Sequence, residues 1–306
     1  MADQDDARRF FHPATIARIS RLDLRARQLV EGFITGMHKS PFFGHSVEFV
    51  QHRDYVAGDD TRYLDWKVWS KTDRFYIKQF EAETNLRCTF VVDVSESMQY
   101  GRGPLNKYEY GCTIAACLAY LVIRQQDSAA LVTFDETVRQ ILPARSAQNH
   151  LEAIVRAMDV SRPKQKTDLN KIFRRVAETT PSRGMIVIIS DFLADREPLL
   201  KGVEMLRHRK HDVLAFHVMD DDELEFPFGG TTRFEGMEEM PNLVCDPRAL
   251  RDGYLEALNE YLTEVRRGLT RIGVDYAMVR TSDYLDAVLS KFVTARMADR
   301  RTTTAG

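Results

Sequence analysis

The chain has 306 residues, 44% of them apolar and 29% charged, a composition that supports one large core or two modest ones and excludes a mostly disordered chain. Its net charge of −2 excludes a global basic field for holding nucleic acid, and no apolar run approaches the roughly 20 residues of a membrane span. The start MADQDDARRF is acidic, then basic, and lacks the apolar stretch of a signal peptide, so a cytoplasmic protein is expected.

In chain order, the first 85 residues stand apart. Residues 13–35 read as one or two amphipathic helices, and 47–55 and 74–80 as short strands separated by the turn-former Gly58-Asp59-Asp60. We expect residues 1–85 to form an N-terminal appendage of helix and short strand, and residues 86–300 to form one α/β domain. Residues 88–95, CTFVVDVS, are short, apolar and β-branched, as a strand buried on both faces should be. A helix rich in Ala and Leu follows over 107–126, then a buried strand over 129–134 and a further strand over 138–142. Helices are expected over 147–158 and 168–180. MIVIISD, residues 185–191, is the clearest buried strand, followed by a helix over 197–209 and a strand over 212–219.

The tail keeps this alternation. Leu250, Tyr254, Leu258, Leu262 and Val265 recur at three- and four-residue steps, predicting a long amphipathic helix over 247–271. Asp246 is placed to cap it, Pro247 suits its first turn and Gly273 stands just past its end. A strand over 274–280 and a helix over 284–298 complete the pattern. Such alternation implies crossover connections and a doubly wound, mainly parallel sheet with helices on both faces. Cys88, Cys112 and Cys117 lie in apolar segments, no cysteine belongs to a C-x-x-C pair, and the bland role of small buried hydrophobe fits them.

In an open parallel sheet, ligands collect where strands end at their carboxyl side, near the switch in strand order. The strand through Val92 ends in Asp93, with Ser95 and Ser97 at alternate positions of the next loop. The strand through Ser190 ends in Asp191, and Thr167 opens a helix after the polar loop 164–166. Five oxygen-bearing side chains from three loops would thus converge on one sheet edge. Oxygen ligands without His or Cys suit Mg²⁺, or Mn²⁺ or Ca²⁺, and disfavour zinc. Such an ion keeps room for one more anionic oxygen, which an acidic side chain of a partner protein would supply.

Asp93, Ser95, Ser97, Thr167 and Asp191 together resemble the metal-ion-dependent adhesion site of von Willebrand factor type A domains, in which matching residue types ring the ion. One departure is that Thr167 follows Lys-Gln-Lys and not the family's glycines. HSVEF at 45–49, Arg53-Asp54-Tyr55, GDD at 58–60 with Arg62, Asp65-Trp66 and residues 76–83 are similar to the bacterial family called domain of unknown function 58. So are residues 225–228, Phe234-Glu235, Asp246-Pro247-Arg248 and Tyr254. The resemblance implies a type A-like domain working with a MoxR-type AAA+ ATPase as adaptor in complex maturation or remodelling. It implies no catalysis.

Two other readings stand beside this one. An aspartate at a strand end with Mg²⁺ could serve a phosphohydrolase as nucleophile, but the second acid usual two residues later is here Ser95. A scaffold with an inactive metal site is the other. The basic run 207–211 falls at a helix end, where cations offset the dipole. The acidic run 220–223 lacks the D-x-D-x-D-G order of a calcium loop and reads as solvated. Asp65-Trp66 and the GDD turn read as structural, with Trp66 as packing mass.

Overall fold

A computed structural model describes residues 12–17, 21–37, 52–55, 66–72, 74–78, 86–135, 137–159, 169–180, 183–236 and 242–293. The chain divides into two compact units, one of residues 37–85 and one of residues 1–36 with 86–306. This differs from the single boundary expected at residue 85, because helix α1 (Leu22–Met37) belongs with the larger unit. Its stripe of Ala26, Leu29, Val30 and Phe33, spaced three and four apart, is buried. The buried guanidinium of Arg25 donates to Thr113 Oγ1 at 3.1 Å.

In the smaller unit, β1 (His52–Asp54) pairs antiparallel with β2 (Tyr76–Lys78), and helix α2 (Trp66–Thr72) lies between them in sequence. Trp69 stacks on Phe75 with ring centroids 5.8 Å apart, and Tyr55 meets Phe75 edge-on. The GDD turn, Arg62 and Asp65 lie outside the described residues.

The larger unit is built on six strands: β3 (Arg87–Asp93), β4 (Ser128–Phe134), β5 (Val138–Arg145), β6 (Met185–Ser190), β7 (Asp212–Met219) and β10 (Asp275–Arg280). They lie in the order β10-β7-β6-β3-β4-β5, and every pairing is parallel except β4 with β5. Strand order therefore reverses between β3 and β6, the switch point of a doubly wound sheet. The central strands are buried along nearly their whole length, as their unbroken apolar runs predict. β5 instead alternates between half-buried and exposed positions, as an edge strand with one wet face does.

Helices cover both faces. On one, α5 (Leu169–Thr179), α6 (Arg196–His208) and α8 (Pro247–Arg271) pack Phe173, Val203 and Leu269 against Val91, Val132, Ile186, Ile188 and Ala215. On the other lie α3 (Lys107–Arg124) and α4 (His150–Asp159). Gly111 brings α3 close to the sheet: an added Cβ would sit 3.1 Å from a methyl of Ile189. Gly202 does the same for α6 on α5, where a Cβ would meet Phe173 at 2.7 Å. Residues 285–293 are helical, and the rest of the expected last helix lies outside the described residues.

After β7 the chain forms α7 (Asp221–Glu225), then a small antiparallel pair, β8 (Thr232–Phe234) with β9 (Leu243–Cys245). The acidic run expected to be a solvated loop is thus a helical turn, closed by a capping box between Asp220 and Glu223. Phe226 ends it in the left-handed conformation (φ 46°) and packs against Phe228, Phe234 and Tyr254. Among the described residues no disulfide is formed, and Cys88, Cys112 and Cys117 are buried. No described helix is long and apolar enough to cross a membrane.

Candidate metal site at the switch point

Each of the four inner parallel strands delivers an aspartate to the carboxyl edge of the sheet: Asp93 at the end of β3, Asp135 after β4, Asp191 after β6 and Asp220 after β7. All four are almost fully buried. Burial of a carboxylate is costly unless it is neutralised or hydrogen-bonded, so their partners distinguish them. Asp135 accepts from Arg139 Nε at 2.6 Å and from the Thr137 amide at 3.1 Å, which fixes the turn into β5. Asp220 caps α7 and accepts from Thr281 Oγ1 at 2.8 Å. Asp191 accepts from Lys107 Nζ at 2.8 Å and from the Leu193 amide at 3.2 Å.

Asp93 differs. Its Oδ1 accepts from the Ser95 amide at 2.9 Å and its Oδ2 from Ser190 Oγ at 2.5 Å. Both donors are neutral, and no ion pair to Asp93 is found among the described residues. Burial, with the charge of Asp191 added to it, pushes its carboxyl up to about 7, against the pull of those hydrogen bonds. For Asp191 burial acts in the same direction, but Lys107, helped by the Leu193 amide and Ser97, offsets it and the carboxyl is held below its ordinary value. Burial also works against the charge of Lys107, yet Asp191 and Glu223 together drive its ammonium above the usual range. His217, in β7 beside Ser190, is pushed by burial down to about 4 and brings no positive charge.

Of the five residues expected at the site, the structure brings four together. Ser95 Oγ and Ser97 Oγ are 3.0 Å apart, and hydrogen bonds tie Ser95 to Asp93 and Ser97 to Asp191. The fifth, Thr167, lies outside the described residues. The loop itself is locally closed: Ser97–Gln99 is one 3-10 turn, with Met98 buried beneath it. The donors are oxygens only, which matches a hard cation. Among the described residues no group of three or more His, Cys, Asp and Glu side chains is placed to hold a metal. An ion here would therefore depend on the serine hydroxyls and on water as well as the two carboxylates.

Sequence reasoning missed Lys107, Ser190, Glu223 and Tyr261. Lys107 is the first residue of α3, and its side chain is 0% exposed. Its Nζ also donates to Glu223 Oε1 at 2.6 Å. Tyr261, on α8, places its hydroxyl between the carbonyl oxygens of Phe192 and Ala194, which accept from it. It thereby holds the loop after Asp191, where Phe192 is buried with a positive φ of 51° that costs a non-glycine residue backbone energy. Leu193 is turned outward beside the site and is exposed. Replacing Tyr261 with phenylalanine should cost about 1–2 kcal/mol, read as a lower denaturant midpoint, because the two carbonyls that share its single hydroxyl proton lose that donor. No change in midpoint would show that water serves them equally well.

Comparisons with known proteins agree with the sequence motifs. Uncharacterized proteins of Mycobacterium tuberculosis (Rv1480) and Mycobacterium bovis (Mb1516) are each 28% identical over 291 residues, covering 93% of this chain and 90% of theirs. Among solved structures, the conserved hypothetical protein BatB of Bacteroides thetaiotaomicron is 16% identical, covering 69% of this chain and 99% of its own, with a TM-score of 0.47. An aerotolerance-related membrane protein of Bacteroides fragilis is also 16% identical, covering 67% of this chain and 97% of its own, with a TM-score of 0.46. The SpRpn10 VWA domain is 10% identical, covering 67% of this chain and 93% of its own, with a TM-score of 0.39. A family model described as "Protein of unknown function DUF58" matches residues 51–263, and the chain belongs to that family.

Proposed function

We propose that the chain is a metal-dependent protein-interaction module that holds Mg²⁺, or Mn²⁺ or Ca²⁺, at the switch point of its sheet and uses the ion to grip an acidic side chain of a partner. The observation that carries this reading is Asp93, a fully buried carboxylate served only by neutral donors beside a second buried carboxylate. Counting Asp93, Asp191, Glu223 and Lys107 as ionised, the cluster is short of positive charge by two units, the charge of one divalent ion. Asp93 and Asp191 would hold the ion with the hydroxyls of Ser95 and Ser97, and Thr167 is the further expected ligand. The bound ion supplies an electrophilic position for an incoming carboxylate oxygen.

The role is binding and not catalysis. Ser95 stands where a second acid would be needed beside a nucleophilic aspartate, and its hydroxyl is taken up by Ser97. The partner expected from the family resemblance is a MoxR-type AAA+ ATPase, with the module as its adaptor. The test is capture of that purified ATPase on the immobilised chain in Mg²⁺ and in chelator, with Asp93→Ala alongside. Loss of capture in chelator and in the variant is expected. Undiminished capture in both would sink the proposal.

The proton on Asp93 sets a pH dependence. With its folded pKa near 7, well above that of a free carboxyl, the metal-free site carries a proton below neutrality that an entering cation must displace. Mg²⁺ affinity is therefore expected to weaken about fivefold from pH 7 to pH 6 and to level off above pH 8. For stability the sign is opposite. The folded state binds the extra proton, so this group's contribution is present at acid pH and is lost as pH rises through 7. Calorimetric titrations at pH 6, 7 and 8 check the first statement, and a pH-independent affinity would contradict it.

A further inference from the structure

We propose that Lys107 is an internal ammonium that couples occupancy of the cation position to the order of α7 and of the hairpin anchored on it. The inference rests on the metal reading above and goes beyond it in naming where occupancy is felt.

The position of Lys107 is itself unusual. It is the first residue of α3, whose amino end is closed by a capping box of Asn106 and Glu109. The positive pole of a helix dipole disfavours a cation there. A lysine at this place, with no exposed surface, is stabilised by its two carboxylate partners and not by its helix. Nζ lies 2.8 Å from Asp191 Oδ2 and 2.6 Å from Glu223 Oε1, so one ammonium is shared between the metal site and α7.

Glu223 in turn has two duties. Its Oε1 accepts from Lys107, and its Oε2 accepts from the Asp220 amide at 2.9 Å, completing the capping box that starts α7. A helix of five residues has no independent stability. α7 therefore depends on this side chain, on Arg280, which pairs with Asp221 at 3.2 Å and with Glu225 at 2.9 Å, on Arg102 and Tyr100, which meet Asp222, and on contacts at its far end. There Phe226 stacks on Phe234 of β8 at 5.8 Å and packs on Tyr254 of α8 at 4.5 Å, and Arg251 donates to the Glu225 carbonyl at 3.1 Å. Order in α7 thus extends to β8 and to the first turns of α8.

A divalent ion beside Asp93 and Asp191 takes over the charge of Asp191 and repels the ammonium. Lys107 is then left with Glu223 as its main counter-charge, and the contact that fixes α7 strengthens. Coupling of this kind is reciprocal: whatever orders α7 also raises affinity for the ion.

The experiment is hydrogen exchange read by mass spectrometry on the full chain, with and without Mg²⁺ at a concentration shown by calorimetry to saturate the native site. Peptides covering 221–236 are compared with peptides covering α6. In the native protein Mg²⁺ should slow exchange over 221–236 about fivefold or more beyond any change in α6. In Lys107→Met/Glu223→Gln, which removes one charge of each sign and leaves the cluster's net charge unchanged, Mg²⁺ should still give heat but no selective slowing. Equal slowing in that variant, or no selective slowing in the metal-bound native protein, overturns the coupling. Should the paired variant fail to fold, Glu223→Gln alone keeps the capping contact and loses the ion pair, and an undiminished response there overturns the coupling as well. Absence of heat in the native protein with Mg²⁺, Mn²⁺ and Ca²⁺ removes the metal reading itself, a result distinct from both.

Discussion

Asp93→Asn should raise the melting temperature of the metal-free protein and abolish the rise that Mg²⁺ is expected to produce in the native chain. Both halves follow from one feature. In the metal-free protein Asp93 is a buried acid repelled by Asp191 and held by neutral donors. An amide of the same shape keeps the oxygen that accepts from the Ser95 amide and points its NH₂ at Ser190 Oγ. It carries no charge to desolvate, so the metal-free fold gains. On the proposed metal reading the same change also removes a ligand charge. In the native protein an ion at about 100 times its dissociation constant would add roughly 2.7 kcal/mol. For a chain of this size that corresponds to a rise of about 4 °C. Thermal melts in chelator and in Mg²⁺ separate the two effects. A variant stabilised by Mg²⁺ as much as the native protein would mean that the ion binds elsewhere.

Lys107→Met should cost the metal-free protein about 3–5 kcal/mol, the usual loss when one partner of a buried ion pair is removed and the other charge is stranded. Here two carboxylates, Asp191 and Glu223, are stranded at once. The methionine fills the lysine's aliphatic path, so little of the loss comes from packing. Denaturant melts in chelator measure it, and Mg²⁺ should restore more stability to this variant than to the native protein because it neutralises Asp191. A loss under about 1 kcal/mol would show that the ammonium compensates neither acid.

Much of the architecture could be read from residue pattern alone. β3 and β6 declare themselves as continuous β-branched runs, since a strand covered on both faces has no polar side to reveal a period. Asp93 and Asp191 stand out because a charge directly after such a run must lie at the sheet edge. What pattern could not show was which charges face one another. Lys107 opens a helix, and a lysine there normally reaches for water. Its burial depends on Glu223, which lies 116 residues away. The Asp220/Glu223 capping signature was present in the acidic run, but without its partner it looked like a solvated stretch. The spacing of Ala26, Leu29, Val30 and Phe33 announced a buried face for α1, yet carried no address. Hence its grouping with the larger unit came only from the structure. Tyr261 sits beside the apolar stripe of α8, where a phenol is first read as packing mass and only the fold reveals its hydroxyl at the site loop.

Helix α8 has a geometric consequence. Tyr254 packs on Phe226, which stacks on Phe234 of the hairpin, and Tyr261 grips the loop after Asp191; the two tyrosines are seven residues apart on one helix. Seven residues are about two turns, which returns both rings to the same side at a spacing of roughly 10 Å. The backbone between them is a stiff ruler, so hairpin and loop are held at a set separation. A partner that pushed on the hairpin would move the ruler's near mark, and the far mark would shift the loop that carries Leu193.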